Sequence, residues 1–233
     1  MELVTMRKIA VLTYPVKHRK TYDVLCLLKA NGYTDVNVYA IPFRYHKTHI
    51  PLIRHRPEMN FQIPETRELC FNLGYRYEQV ELESVNIDND RIVLIAGAGI
   101  LPEEFVGKHI VINAHPGYIP NCRGLDAFKW AIAEMQPVGV TTHLLGAEID
   151  AGKIIERRII DIYKTDTFHS VAQRVYEHEV SMLVAAVEKC DDKHLETVSV
   201  ENFEIHKRMP RTMEKHLMAL FEQYKKAHAA EGV

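Results

Sequence analysis

The feature that most constrains this chain is an alternation. Short apolar runs rich in β-branched residues are separated by segments with helical periodicity, from Lys8 to the end of the second third. That pattern specifies an α/β fold with a mostly parallel sheet, because parallel strands need a crossover between them, usually a helix, and bury both faces. The expected strands are Lys8–Thr13, Asp35–Ala40, Arg91–Ala96, Ile110–Asn113, Val138–Leu145 and Lys153–Ile160, the last at an edge because of Arg157-Arg158. The expected helices are Lys17–Asn31, with Tyr22, Leu25, Cys26 and Leu28 inward, Pro64–Leu73, Leu125–Glu134 and Thr167–Cys190, with Val171, Val175, Met182 and Leu183 on one stripe. Gly32 and Gly74 stand where helix stops belong.

At 233 residues, 47% of them hydrophobic, the chain can bury a large core without disulfides or metal. Cys26, Cys70, Cys122 and Cys190 stand far apart with no C-x-x-C pair, so free thiols are expected. The thirteen histidines show no zinc-ligand spacing, and no metal is expected. Apolar runs are only a few residues long, the first residues carry no secretory pattern, and a cytoplasmic protein without a membrane partner is expected.

The net charge of −2 hides an asymmetry. Residues 1–60 carry +6, residues 61–90 carry −5 and the remainder −3. An excess of that size suggests local anion recognition and is too small for a nucleic-acid surface. Residues 41–64 combine prolines with four Lys/Arg and three His and little periodicity, which suggests a functional loop.

Open α/β sheets bind ligands beyond the carboxyl ends of their strands. Two such ends carry chemistry: Asn113-Ala114-His115-Pro116-Gly117, and Ile149-Asp150-Ala151-Gly152. Converging there, His115 would offer an imidazole for proton transfer, Asp150 would orient it, and Asn113 would donate an N–H to a developing oxyanion. No Ser or Cys stands where a nucleophile belongs, and Cys122 has no evident partner, so direct attack by an amine or water is favoured.

Asn113-Ala114-His115-Pro116, then Ile119-Pro120, Arg123-Gly124 and Trp130, resembles the signature segment of folate-dependent formyltransferases, the glycinamide ribonucleotide transformylase-like domain. Gly139-Val140-Thr141-Thr142-His143 and Ile149-Asp150-Ala151-Gly152-Lys153-Ile154-Ile155 continue it, and the match runs over about residues 92–186. The resemblance implies a Rossmann-like, mostly parallel twisted sheet flanked by helices, with a catalytic domain over 1–190 and a short helical appendage over 191–233.

It also implies N10-formyltetrahydrofolate as co-substrate. Asn113 would polarise the formyl oxygen, His115 would stabilise the oxyanion and move the amine proton, and Asp150 would support it. Ala98, Gly99, Ile100 and Leu101 would border the folate on one side, with Gly146 and Ile149 on the other. Gly117-Tyr118 departs from the pattern, since many relatives have Ser and an aliphatic residue there.

For the acceptor, Tyr14–Lys20 lacks the glycines of a phosphate-cradling loop, which argues against glycinamide ribonucleotide. Residues 191–233 are too few and too acidic for a tRNA-binding domain, and a hydrolase's preceding regulatory domain is not expected. What remains resembles the sugar N-formyltransferases, which act on amino groups of nucleotide-linked dideoxysugars. Arg44, Arg54, Arg56 and Arg123 would then hold the anionic acceptor. A glycinamide ribonucleotide-like enzyme on another small amine, and a non-catalytic folate- or nucleotide-binding module, stay open.

Plainer readings compete residue by residue. The 44–56 loop reads equally as a solvated basic face, Arg123-Gly124 as a turn, His143 as a core histidine and Trp130 as core. Lys207-Arg208 and the helix from about Arg211 read as solvated, or as the contact of a homodimer.

Overall fold

A computed structural model describes residues 7–42, 50–57, 62–146 and 152–230. In chain order the elements are β1 (Ile9–Thr13), α1 (Arg19–Ala30), β2 (Val36–Ala40), α2 (Thr66–Leu73), β3 (Arg76–Gln79), β4 (Ile92–Ile95), α3 (Glu103–Lys108), β5 (Ile110–His115), β6 (Arg123–Gly124), α4 (Ala127–Ala133), β7 (Gly139–Leu144), β8 (Lys153–Ile159), α5 (Phe168–Ala185), β9 (Glu196–Thr197), β10 (Ile205–His206), α6 (Arg211–Glu214) and α7 (Leu217–His228). The strands are mostly parallel and flanked by helices, as the alternation specifies.

The chain forms two compact units. The first takes its described residues from Met1–His46, Glu58–Asn113 and Val180–Asp192. There β1 pairs in parallel with β2 (Val11 opposite Val38) and with β4 (Val11 opposite Leu94). Farther out, β2 pairs with β3 and β4 with β5, both again parallel. All five residues of β1 are buried, which is why it reads as an unbroken apolar run rather than an alternation. In α1 the buried residues are Thr21, Val24, Leu25 and Leu28, while the expected inward pair Tyr22 and Cys26 is only half-buried. Gly74 ends α2 at φ 73°, a left-handed cap that β-carbon-bearing residues adopt at a cost.

The second unit takes its described residues from Lys47–Pro57, Ala114–Glu179 and Lys193–Val233. Here β7 and β8 form an antiparallel pair with an irregularity between Thr142 and His143, and β9 covers the start of β8. Strands β6 and β10 make a separate two-residue parallel pair.

The described residues beyond 192, expected as a helical appendage, group with the second unit. Helix α7 packs on α4 and buries Leu217, Phe221 and Tyr224. The Tyr224 hydroxyl donates to the Gln136 carbonyl (2.8 Å) and accepts from the Val138 N–H (3.1 Å). Fully buried side chains of this size contribute about 1.5–3 kcal/mol each, so one face of α7 belongs to the core of the second unit, and its charged look comes from the outward face. No described helix is long and apolar enough to cross a membrane.

Candidate active site

Strand β5 carries Asn113 and His115 at its carboxyl end. As alternate residues they share a face of the strand, about 6.6 Å apart along it. His115 is 5% exposed, and its Nε2 lies 2.9 Å from the backbone carbonyl of Cys122. A carbonyl only accepts, so in this hydrogen bond Nε2 carries the proton and the imidazole tautomer is set.

The close approach of that carbonyl depends on Gly117. A β-carbon there would lie 2.5 Å from the Cys122 oxygen, 2.6 Å from His115 Nε2 and 2.8 Å from Ala127 Cβ. The glycine that looked like a departure from the family pattern is what lets the 116–122 turn fold back onto the histidine. Thr141 of β7 fastens the same turn: its Oγ1 donates to the Gly117 carbonyl (2.8 Å) and accepts from the Ile119 N–H (3.1 Å). Neither the Cys122 carbonyl nor Thr141 was predicted. The first has no side-chain signature, and the second shows only as a polar residue in a buried strand.

Burial pushes the Cys122 thiol up to about 12, so it stays protonated at neutral pH and is no nucleophile. That agrees with direct attack by an amine. All four cysteines are free thiols, Cys26 half-buried and the others buried.

The expected folate-bordering segment follows β4. Leu101 is buried, Ala98 half-buried and Gly99 exposed, with open space where a β-carbon would stand. Ile100 is 85% exposed, an apolar side chain offered to solvent. Gly146 is exposed in the second unit, facing Gly152. Gly152 is obligatory, since a β-carbon would overlap the Leu144 carbonyl. Asp150 and Ile149 lie outside the described residues, as does Arg44.

The expected acceptor ligands fall in different surroundings. Arg123 is only 2% exposed, held in β6 beside β10, so it is neither a solvated turn nor open to an anion. Arg56, 46% exposed, forms an ion pair with Glu179, whose side chain is only 1% exposed, since a buried carboxylate needs a cation. Arg54 remains exposed. Residues 50–57 are fastened to the second unit by that pair, by the Leu52 N–H donating to Glu214 (2.7 Å), and by the His55 ring against Phe128. Glu214 also accepts from Lys129 at 2.5 Å, both side chains being buried. His143 is fully buried in β7, in keeping with its core reading. Trp130 is half-buried, its Nε1 donating to the Lys207 carbonyl (2.8 Å) and its ring against His206.

Residues 72–187 match the sequence model of the formyl transferase family, a span holding Asn113, His115 and Asp150. The chain is 29% identical over 109 residues to phosphoribosylglycinamide formyltransferase of Bacillus subtilis, covering 44% of this chain and 55% of that protein. It is 33% identical over 138 residues to methionyl-tRNA formyltransferase of Thermotoga neapolitana, covering 57% and 40%. The aligned part thus spans about half the length of these curated relatives. Among solved structures, an N-formyltransferase from Helicobacter canadensis, in complex with folinic acid and dTDP-3-aminofucose, superposes with a TM-score of 0.63 at 15% identity, over 98% of this chain and 84% of that one. Sequence motifs, parallel-strand topology and family match agree, and residues 72–187 of this chain form a domain of the formyl transferase family.

Proposed function

We propose that this protein transfers a formyl group from N10-formyltetrahydrofolate to a primary amine, the amino group of a nucleotide-linked amino-dideoxysugar. The observation that carries the reading is the family match over residues 72–187, with Asn113 and His115 on one face at the end of β5. The folate derivative supplies a formyl carbon activated by attachment to N10. The amine nitrogen bonds to that carbon, the C–N10 bond breaks, and the amine proton ends on N10. The Asn113 amide donates to the formyl oxygen as it gains charge. His115, with its Nε2 proton given to the Cys122 carbonyl, takes the amine proton at Nδ1, stabilises the oxyanion while it is charged, and passes the proton on to N10, with Asp150 in support. Ile100, exposed and apolar beside Gly99, suits the edge of a planar ring.

Two observations support a sugar acceptor. Nearly the whole of this chain superposes on 84% of a solved N-formyltransferase in complex with dTDP-3-aminofucose. In the first unit, the turn between β1 and α1 is filled by the rings of Tyr14 and His18, with centroids 5.4 Å apart, and Gly97 packs against both. A turn filled in this way offers little of the open glycine-rich backbone that cradles phosphate. Arg54 and Arg56 are the described basic-loop cations proposed to meet the acceptor's diphosphate. The Bacillus subtilis relative favours a second reading, glycinamide ribonucleotide as acceptor.

Thermal shift with a folate analogue present separates the two. Stabilisation by an amino-sugar nucleotide, weakened in Arg54→Ala while folate binding is kept, is the expected result. Stabilisation by glycinamide ribonucleotide alone would replace the acceptor assignment.

A further inference from the structure

The restraint on His115 is a backbone carbonyl, and a carbonyl is aimed by its peptide plane. The Cys122 C=O and the Arg123 N–H belong to one planar unit, so whatever fixes Arg123 also points the oxygen that meets His115 Nε2. Upstream, the Cys122 N–H donates to the Tyr118 carbonyl (3.0 Å). Downstream, Arg123 and Gly124 of β6 lie opposite Ile205 and His206 of β10. The approach is close: Gly124 has φ 86°, and a β-carbon there would collide with the His206 carbonyl oxygen. The Leu125 N–H donates to that same oxygen (2.9 Å).

A two-residue ladder is too short to hold itself, and the His206 side chain supplies what the backbone lacks. It is 8% exposed, with Nδ1 lying 3.3 Å from the Arg123 carbonyl and Nε2 lying 3.0 Å from Glu134 Oε1. A carbonyl and a carboxylate only accept, and a neutral imidazole donates once, so both bonds form together on the imidazolium. Glu134 stands at the carboxyl end of α4, where helix carbonyls gather negative charge and a cation is favoured. Trp130, one turn earlier on the same helix face, lays its ring against His206 with centroids 4.8 Å apart. Its Nε1 donates to the Lys207 carbonyl (2.8 Å). The same helix begins at Ala127, which packs against Gly117. One helix thus braces both the turn that folds onto His115 and the strand that flanks Arg123.

We propose that His206 is a positioning residue for formyl transfer. Its Nδ1–H holds Arg123 in β6 and so fixes the preceding peptide unit, whose carbonyl accepts from His115 Nε2. With the proton kept at Nε2, the His115 Nδ1 lone pair faces the amine proton. When Arg123 loosens, the Cys122 carbonyl swings away and the Nδ1–H tautomer, which cannot take that proton, becomes populated. The inference rests on His115 as the proton-moving group of the proposed function.

The test compares His206→Asn with His206→Gln. The Asn amide nitrogen stands as many bonds from the backbone as Nδ1 and keeps the donor to Arg123. The Gln amide nitrogen matches Nε2 and keeps only the donor to Glu134. Nitrogen-15 shifts of the His115 ring, assigned by their absence in His115→Ala, report its tautomer without any turnover. In the parent and in His206→Asn the Nε2–H form is expected, with kcat alike. In His206→Gln the Nδ1–H form should appear, and kcat should fall at least about tenfold with folate affinity unchanged. The proposal is overturned if His206→Gln leaves the His115 ring signals as in the parent. It is equally overturned if both variants shift those signals and kcat alike, as loss of packing alone would. A parent that forms no formamide while its His115 ring responds as stated would refute formyl transfer and leave the positioning role standing.

Discussion

Replacing Gly117 by alanine tests whether one glycine holds the catalytic histidine in place. The added β-carbon would need to sit 2.5 Å from the Cys122 carbonyl oxygen and 2.6 Å from His115 Nε2. Ordinary contacts begin near 3.4 Å, so the turn, the histidine or both must move by about 1 Å. Forcing a methyl into a packed site costs about 1–3 kcal/mol. Losing the hydrogen bond between Nε2 and Cys122 adds about 1 kcal/mol. Together these lower the midpoint of thermal unfolding by about 2–4 °C for each kcal/mol in a chain of this size. Because a displacement of about 1 Å at a reacting group costs about 100-fold, kcat/KM should fall at least that far. Gly107→Ala in α3 is the matched control: nothing lies within 4 Å of its β-carbon, and a helical Gly→Ala change should stabilise by about 0.5–1 kcal/mol. If Gly117→Ala unfolds and turns over like the parent while Gly107→Ala behaves as stated, the steric argument is wrong.

Two further perturbations probe the second unit. Lys129→Met strands the buried Glu214 carboxylate and should cost about 3–5 kcal/mol in denaturant unfolding; adding Glu214→Leu should recover much of it. Failure of the double variant to recover would mean that the Leu52 contact, not the ion pair, carries the stability. His55 is held down to about 3, first by burial and then by Arg56 and Lys129. The unfolded chain therefore takes up a proton below about 6.5 that the folded chain refuses, and this contribution to stability is lost as the pH falls from about 6.5 towards 3. His55→Phe should flatten that part of the stability–pH curve; an unchanged slope would remove His55 from the explanation.

The strands buried on both faces were legible as apolar runs, and Gly32 and Gly74 marked helix ends because left-handed caps favour glycine. Strands β3, β6, β9 and β10 were not legible. They are two to four residues long and largely polar, and their existence depends on a neighbour's backbone. The chemistry-bearing residues of β5 were readable because their types and spacing carry the information. His115's restraint was not, since its partner is a carbonyl that any residue at 122 would supply. The ion pair of Arg56 was not readable for the complementary reason: its partner is Glu179, more than a hundred positions away and silent in a linear reading. The buried face of the terminal helix was not readable because α7 shows its charges and conceals Leu217, Phe221 and Tyr224.

The central claim is formyl transfer through His115. The direct measurement is mass-spectrometric detection of the formamide product, with parallel release of tetrahydrofolate, from N10-formyltetrahydrofolate and a nucleotide-linked amino-dideoxysugar. The account predicts equimolar formamide and tetrahydrofolate with the parent protein. His115→Ala should keep folate binding and lower kcat by about 10²–10⁴-fold. A folded parent that forms no formamide from amino-sugar nucleotides, or a His115→Ala variant with the parent's kcat, would contradict it.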